Sequence, residues 1–158
     1  PNIIFNGEPG ASAGWISTPN ASAIIQYEDP EHGNVAVLSG NGFASDYILY
    51  TDSQKYWNVS HPYVSWEMNY AEDYLFFIYV NTDKGDYYLG YSPVTNPGKF
   101  ENYVYIKLEE NTKGGSWVKV TRDIQADLNT QFPDAKINNI YYAIIYGSGK
   151  VDNVETNK

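Results

Sequence analysis

Residues 103–108 read Tyr-Val-Tyr-Ile-Lys-Leu, an alternation useless to a helix, because side chains two apart share a face only in an extended strand. Val104, Ile106 and Leu108 fall on one face; Tyr103, Tyr105 and Lys107 fall on the other. The same period appears at 75–81, where Phe76, Ile78 and Val80 alternate with Leu75, Phe77, Tyr79 and Asn81. It returns at 117–121, with Val118 and Val120 inward and Trp117, Lys119 and Thr121 outward. Helical spacing shows only weakly, at 124–128, enough for one turn. The chain therefore reads as all-β. About ten short strands between turn signals predict a β-sandwich or jelly roll of two antiparallel sheets.

The clearest hairpin joins 75–81 to 86–91 through Thr82-Asp83-Lys84-Gly85, a turn with Gly where positive φ is wanted. Residues 117–155 read as a closing hairpin: an alternating strand, a polar crossover, an Ile/Tyr strand, a Gly-Ser-Gly turn and a final Val-Asp-Asn-Val. In 140–146 both faces are apolar, Ile140, Tyr142, Ile144 and Tyr146 against Tyr141, Ala143 and Ile145, which predicts a central strand. The 158 residues suit a single domain, 1–158, large enough to bury a core.

Nineteen acidic and ten basic residues give a net charge of −9, which disfavours phosphate backbones and anionic membranes. Arg122 is the single arginine, so no Arg cluster reads phosphate. Cysteine is absent, which excludes a disulfide framework and a thiolate site. No run is long enough and apolar enough to insert into a membrane, and a start at Pro1 reads as a mature or excised segment.

Sixteen tyrosines exceed what a core needs. If the alternating strands are neighbours, the outer face of one sheet carries Tyr79, Tyr103 and Tyr105 with one or more of Tyr87, Tyr88 and Tyr91. Tyrosine combines an apolar ring with a polar tip, and pyranoses offer C–H faces to aromatics and hydroxyls to amides and carboxylates. The candidate carbohydrate site is thus Tyr79, Tyr88, Tyr103 and Tyr105, with Asn81, Asp86 and Lys107 as hydrogen-bonding neighbours and Trp57 as a loop contributor. The competing reading has this face covered, its tyrosines forming a second core.

A catalytic constellation is hard to find. His32 and His61 lie in loops, and the sequence holds no nucleophile elbow, zinc-protease motif or phosphate-cradling loop. The carboxylates Glu109-Glu110, Glu72-Asp73 and Asp123 with Asp127 read as solvated turn residues rather than a glycosidase pair. The enzymatic rival is a small polysaccharide lyase using Tyr105 as acid and base with Lys107 or Arg122 neutralising a uronate. The third class is an adhesive or structural domain of a cell-surface protein.

Three segments carry a family resemblance: Ile4-Phe-Asn-Gly-Glu-Pro-Gly-Ala-Ser-Ala-Gly-Trp15, Val37-Leu-Ser-Gly40 and Gly147-Ser-Gly-Lys-Val-Asp-Asn-Val154. Together they resemble galactose-binding-like β-jelly-roll carbohydrate-binding modules of secreted bacterial polysaccharide-degrading enzymes. The resemblance implies a non-catalytic module, extracellular or on the cell surface, within a larger multidomain protein and binding a polysaccharide or oligosaccharide. It also implies a structural calcium ion held by Glu8 and Asp152, with Asn6 as the alternative to Glu8. Calcium, a hard cation, takes such oxygen ligands.

Overall fold

The computed structural model describes residues 2–5, 13–17, 24–29, 33–51 and 63–157. In chain order the strands are β1 (Asn2–Phe5), β2 (Ala13–Ser17), β3 (Ile24–Asp29), β4 (Gly33–Ser39), β5 (Asp46–Thr51), β6 (Tyr63–Asn69) and β7 (Leu75–Thr82). They continue as β8 (Gly85–Ser92), β9 (Gly98–Phe100), β10 (Tyr103–Lys107), β11 (Val118–Asp123), β12 (Ile137–Tyr146) and β13 (Gly149–Asn157). One short helix, α1 (Ile124–Asn129), stands where the weak helical spacing was seen. The Asp123 carboxylate accepts from the Ala126 N–H at 3.0 Å and caps it, and Ile124 and Leu128, one turn apart, are buried.

The strands form two facing sheets. One runs β11-β6-β13-β4-β3, with β1 paired to β13; the other runs β2-β5-β12-β7-β8-β10-β9. This is a β-sandwich, and its pairing is mixed: β10 runs parallel to β8, and the other pairs described are antiparallel. The expectation of purely antiparallel sheets is corrected at that one junction, where β9 lies between β8 and β10 in sequence but at the sheet edge in space.

Residues 117–155 are not a closing hairpin. β12 lies in one sheet and β13 in the other, so the Gly147-Ser148 corner carries the chain across the sandwich. Gly147 has φ +113, and a Cβ there would sit 2.7 Å from the Asp73 carbonyl oxygen, so the corner requires glycine. Its N–H donates to the Ser45 carbonyl at 3.2 Å, and its carbonyl accepts from the buried Tyr70 hydroxyl at 3.3 Å.

Alternation places the core as expected. Phe76, Ile78 and Val80 are buried, as are Val104, Leu108 and Val120, while Ile106 and Val118 pack against the core partly exposed. At the centre Trp66 of one sheet stacks on Phe76 of the other, centroids 4.3 Å apart and planes within 3°. Tyr91 meets Trp66 edge-on at 5.6 Å, and the indole N–H donates to the Met68 sulfur at 3.3 Å.

Buried phenols need acceptors or donors of their own. The Tyr74 hydroxyl donates to Thr112 Oγ1 at 2.6 Å, and the Tyr91 hydroxyl donates to Asp127 Oδ2 at 2.7 Å. Arg122 donates twice to that carboxylate, from Nε at 3.0 Å and Nη2 at 2.7 Å. The sequence reading of Asp123 and Asp127 as solvated turn acids is therefore corrected: one caps a helix and the other is buried beneath an arginine.

Burial pushes the Tyr74 phenol up to about 12, against the ordinary 10.0. Its folded value is raised, so its contribution is complete below the unfolded value and is lost as pH rises from 10.0 through about 12. Denaturant midpoints are thus expected to hold from neutrality to about pH 9 and to fall by about pH 11. A flat midpoint across that window contradicts the buried Tyr74.

Candidate functional site: a tyrosine ladder on the outer sheet face

The register of β12, β7, β8 and β10 puts Tyr142 opposite Tyr79, Tyr79 opposite Tyr88, and Tyr88 opposite Tyr103. Neighbouring strands lie about 4.8 Å apart, so rings standing up from adjacent strands meet face to face. Tyr79 and Tyr88 stack at 4.2 Å and 16°, Tyr88 and Tyr103 at 4.7 Å and 9°. Tyr142 closes the row on Tyr79 at 5.3 Å, tilted 47°, and Tyr105 follows Tyr103 along β10 at 6.1 Å and 10°. The ring faces look along the sheet; edges and hydroxyls look outward.

Beneath the ladder lies Phe77, which is buried and meets Tyr88, Tyr103, Tyr105 and Tyr146 edge-on at 5.7 to 6.3 Å. Gly90, opposite Phe77 on β8, makes room for it: a Cβ there would lie 2.8 Å from the Phe77 ring and 3.2 Å from Tyr105. The face thus has a small aromatic core of its own, while Tyr79, Tyr88, Tyr103 and Tyr105 remain half-buried with surface in solvent.

Asp86, opposite Asn81 and beside the row, anchors Tyr79. Its carboxylate accepts from Asn81 Nδ2 at 2.8 Å, the Tyr79 hydroxyl at 3.2 Å and the Tyr141 hydroxyl at 3.3 Å. The β7–β8 turn holds this arrangement, with Thr82 Oγ1 donating to the Gly85 carbonyl at 2.7 Å and Gly85 at φ +117. Burial first, then the Asp86 charge, raises the Tyr79 phenol; burial likewise raises Tyr88, Tyr105, Tyr142 and Tyr146. These hydroxyls stay protonated, able to donate as well as accept.

The residues expected from sequence thus come together in part. Tyr79, Asn81, Asp86, Tyr88, Tyr103 and Tyr105 form one continuous surface, and Lys107 follows Tyr105 on the same face, exposed at the strand end. Tyr87 and Tyr91 point inward. Trp57, Glu8 and Asn6 lie outside the described residues. Asp152 is buried on β13 opposite Glu67, beside a register shift at which Asn153 takes φ 45. Among the described residues no group of three or more acidic or histidine side chains gathers for a metal.

Sequence reasoning missed Phe77, Tyr141, Tyr142 and Tyr146. A bulge between Ile140 and Tyr142 resets the alternation of β12, so Ile140 is buried with Ala143 and Ile145 while Tyr141 and Tyr142 both approach Tyr79. Simple period two had put Ile140 with Tyr142. Beyond β12 the face turns aliphatic, Ile144 opposite Ile48 and Ile48 opposite Ile16, and Phe43 stacks on Tyr146 at 6.2 Å. At the other edge Phe100, opposite Tyr103, is 65% exposed.

No family model matches the sequence, and no curated protein matches it. Solved structures do match. A family 11 carbohydrate-binding module from Clostridium thermocellum, in complex with a beta-1,3-1,4-mixed-linked tetrasaccharide, aligns over 99% of this chain and 94% of its own, with TM-score 0.55 and 15% identity. The family 11 module of the cellulosomal cellulase Lic26A-Cel5E of the same organism aligns over 99% and 93%, also at TM-score 0.55 and 15% identity. This chain is similar to them in fold. The likeness is that of a β-sandwich jelly roll. No helix among the described residues is long and apolar enough to cross a membrane.

Proposed function

We propose that this domain is a non-catalytic carbohydrate-binding module that holds a polysaccharide against the outer face of the β12-β7-β8-β10-β9 sheet. The observation that carries the reading is the ladder Tyr142-Tyr79-Tyr88-Tyr103, a row of phenol rings on paired strands with the Asp86 carboxylate beside it, bonded to Tyr79. It spans about 19 Å across five strands, counting β9 at the Phe100 edge. Because the inner rings are stacked on one another, they offer hydroxyls and C–H edges to the ligand. Open ring faces for sugar stacking remain at Phe100 and at the Tyr105 end.

A β-linked plant or algal polymer suits a flat face of this kind, and the similar fold in complex with a mixed-linked tetrasaccharide makes mixed-linked β-glucan the first ligand to try. The domain acts outside the cell or on its surface, as part of a larger multidomain protein. Affinity electrophoresis in a panel of soluble glycans tests the reading: retardation by at least one is expected. Retardation by none turns the face over to a protein partner and the adhesive alternative.

A structural calcium remains part of the proposal. Asp152 and the adjacent Glu67 are oxygen donors of the kind a hard cation takes, with Glu8 or Asn6 to complete the set. Added calcium is then expected to raise the thermal midpoint and a chelator to lower it. A midpoint indifferent to both removes the ion.

A further inference from the structure

Tyr105 stands between two glycines, Gly90 opposite it on β8 and Gly98 opposite it on β9, the edge strand of the sheet. We propose that the space above Gly98 is a slot for one pyranose ring, stacked on the β9-side face of Tyr105 and bordered by Phe100. The inference rests on the carbohydrate reading of the outer face and deepens it: the ladder supplies hydroxyls, and the sheet edge supplies the ring stacking.

Three observations carry it. The first is the direction of the ring. Tyr88 and Tyr103 stack across neighbouring strands at 4.7 Å, so the normals to their planes run from strand to strand. The Tyr105 plane lies within 10° of that of Tyr103. Its two faces therefore look across the sheet as well, one toward Gly90 and the other toward Gly98.

The second is that the two glycines are not equivalent. A Cβ at Gly90 would lie 2.8 Å from the Phe77 ring and 3.2 Å from that of Tyr105, so that side is filled. A Cβ at Gly98 would meet no heavy atom of the described residues within 4 Å. Tyr105 thus leans toward β8 and leaves the edge side open. Gly98 also takes φ +145, a conformation that side chains rarely adopt, so the gap is built into the backbone.

The third is fit. Neighbouring strands lie about 4.8 Å apart, close to the 4.2 and 4.7 Å at which the ladder rings stack. A flat ring standing over Gly98 therefore continues the stacking in the place where position 98 has no side chain. A pyranose with equatorial substituents offers Tyr105 a face of C–H groups and keeps its linkages near the plane of its ring. The chain then leaves the slot along β10 or away from the sheet. Phe100 stands at the first of these exits: it shares the outer face with Gly98, lies opposite Tyr103 and is 65% exposed. An axial linkage would turn the chain out of that plane and against Tyr105, so the slot selects equatorially linked polymers.

The test uses the full chain in affinity gels containing mixed-linked β-glucan, arabinoxylan or the α-linked glucan pullulan, followed by proton NMR with an oligosaccharide of the polymer that binds. Retardation by β-glucan or arabinoxylan and not by pullulan is expected, with sugar C–H resonances moved upfield by the ring current of Tyr105. Tyr105→Phe should leave affinity and shift unchanged, whereas Tyr105→Ala should lose about tenfold in affinity and most of the shift. Phe100→Ala removes an exposed side chain that the core does not use and should cost about threefold; it decides the matter if Tyr105→Ala fails to fold. Wild-type affinity in either alanine variant, a Tyr105→Phe variant as weak as Tyr105→Ala, equal retardation by pullulan, or no retardation by either β-linked polymer overturns the slot and leaves the ladder standing. Retardation by no glycan of the wider panel overturns both.

Discussion

Trp66→Ala is expected to cost about 3–5 kcal/mol of unfolding free energy, a large share of the roughly 5–15 kcal/mol by which a domain is stable. Backbone ladders hold each sheet together but do nothing to hold one sheet to the other. That task falls on side chains meeting across the sandwich, and Trp66 on β6, the largest fully buried side chain among the described residues, stacks on Phe76 on β7 at 4.3 Å. Truncation removes that contact and the edge-on partner of Tyr91, and strands fixed in ladders cannot collapse to fill the void. Denaturant titration of the variant measures the loss. A change under about 1 kcal/mol would show that the two sheets repack around the gap, and the centre of the core would have to be placed elsewhere.

Tyr88→Ala is expected to weaken glycan binding by about 2 kcal/mol, roughly thirtyfold in Kd. Tyr88 is the inner ring of the ladder: it supports Tyr79 on one face and Tyr103 on the other and lies over Phe77. Its removal deletes one hydroxyl and also frees two neighbours to rotate, so the ligand must then order them. Tyr88→Phe separates the two effects, since it keeps the stack and removes only the hydroxyl; about 1 kcal/mol is expected from it. Isothermal titration against the polymer that retards the wild type gives both values. Wild-type affinity in a folded Tyr88→Ala variant would remove the ladder from the binding site.

The two substitutions act on opposite faces of the sheet that holds β7 and β8: Trp66 packs on its inner face from the other sheet, and Tyr88 stands on its outer face. Phe76 faces Trp66, while Phe77, the next residue, faces the ladder. That division was legible in the sequence because successive strand residues must point to opposite faces. The same rule located Tyr79, Tyr103 and Tyr105 on one outer surface. It failed at Ile140 and Tyr142, where a bulge inserts an extra residue and reverses the order of faces. A bulge leaves little local mark, because Ile and Tyr suit either side of a strand.

By itself the sequence determined the all-β character, most strand positions, the inward set Phe76, Ile78, Val80, Val104 and Val120, and an outward surplus of tyrosine. These follow from period two, a property of residues near one another in the chain. The tertiary structure decided which strands became neighbours. It set β8 beside β10 in parallel, sent β12 and β13 into different sheets around Gly147, and aligned Tyr79, Tyr88 and Tyr103 into a stack. Pairing between strands distant in sequence is settled by how two sheets close over a shared core, and no local pattern of residues encodes it.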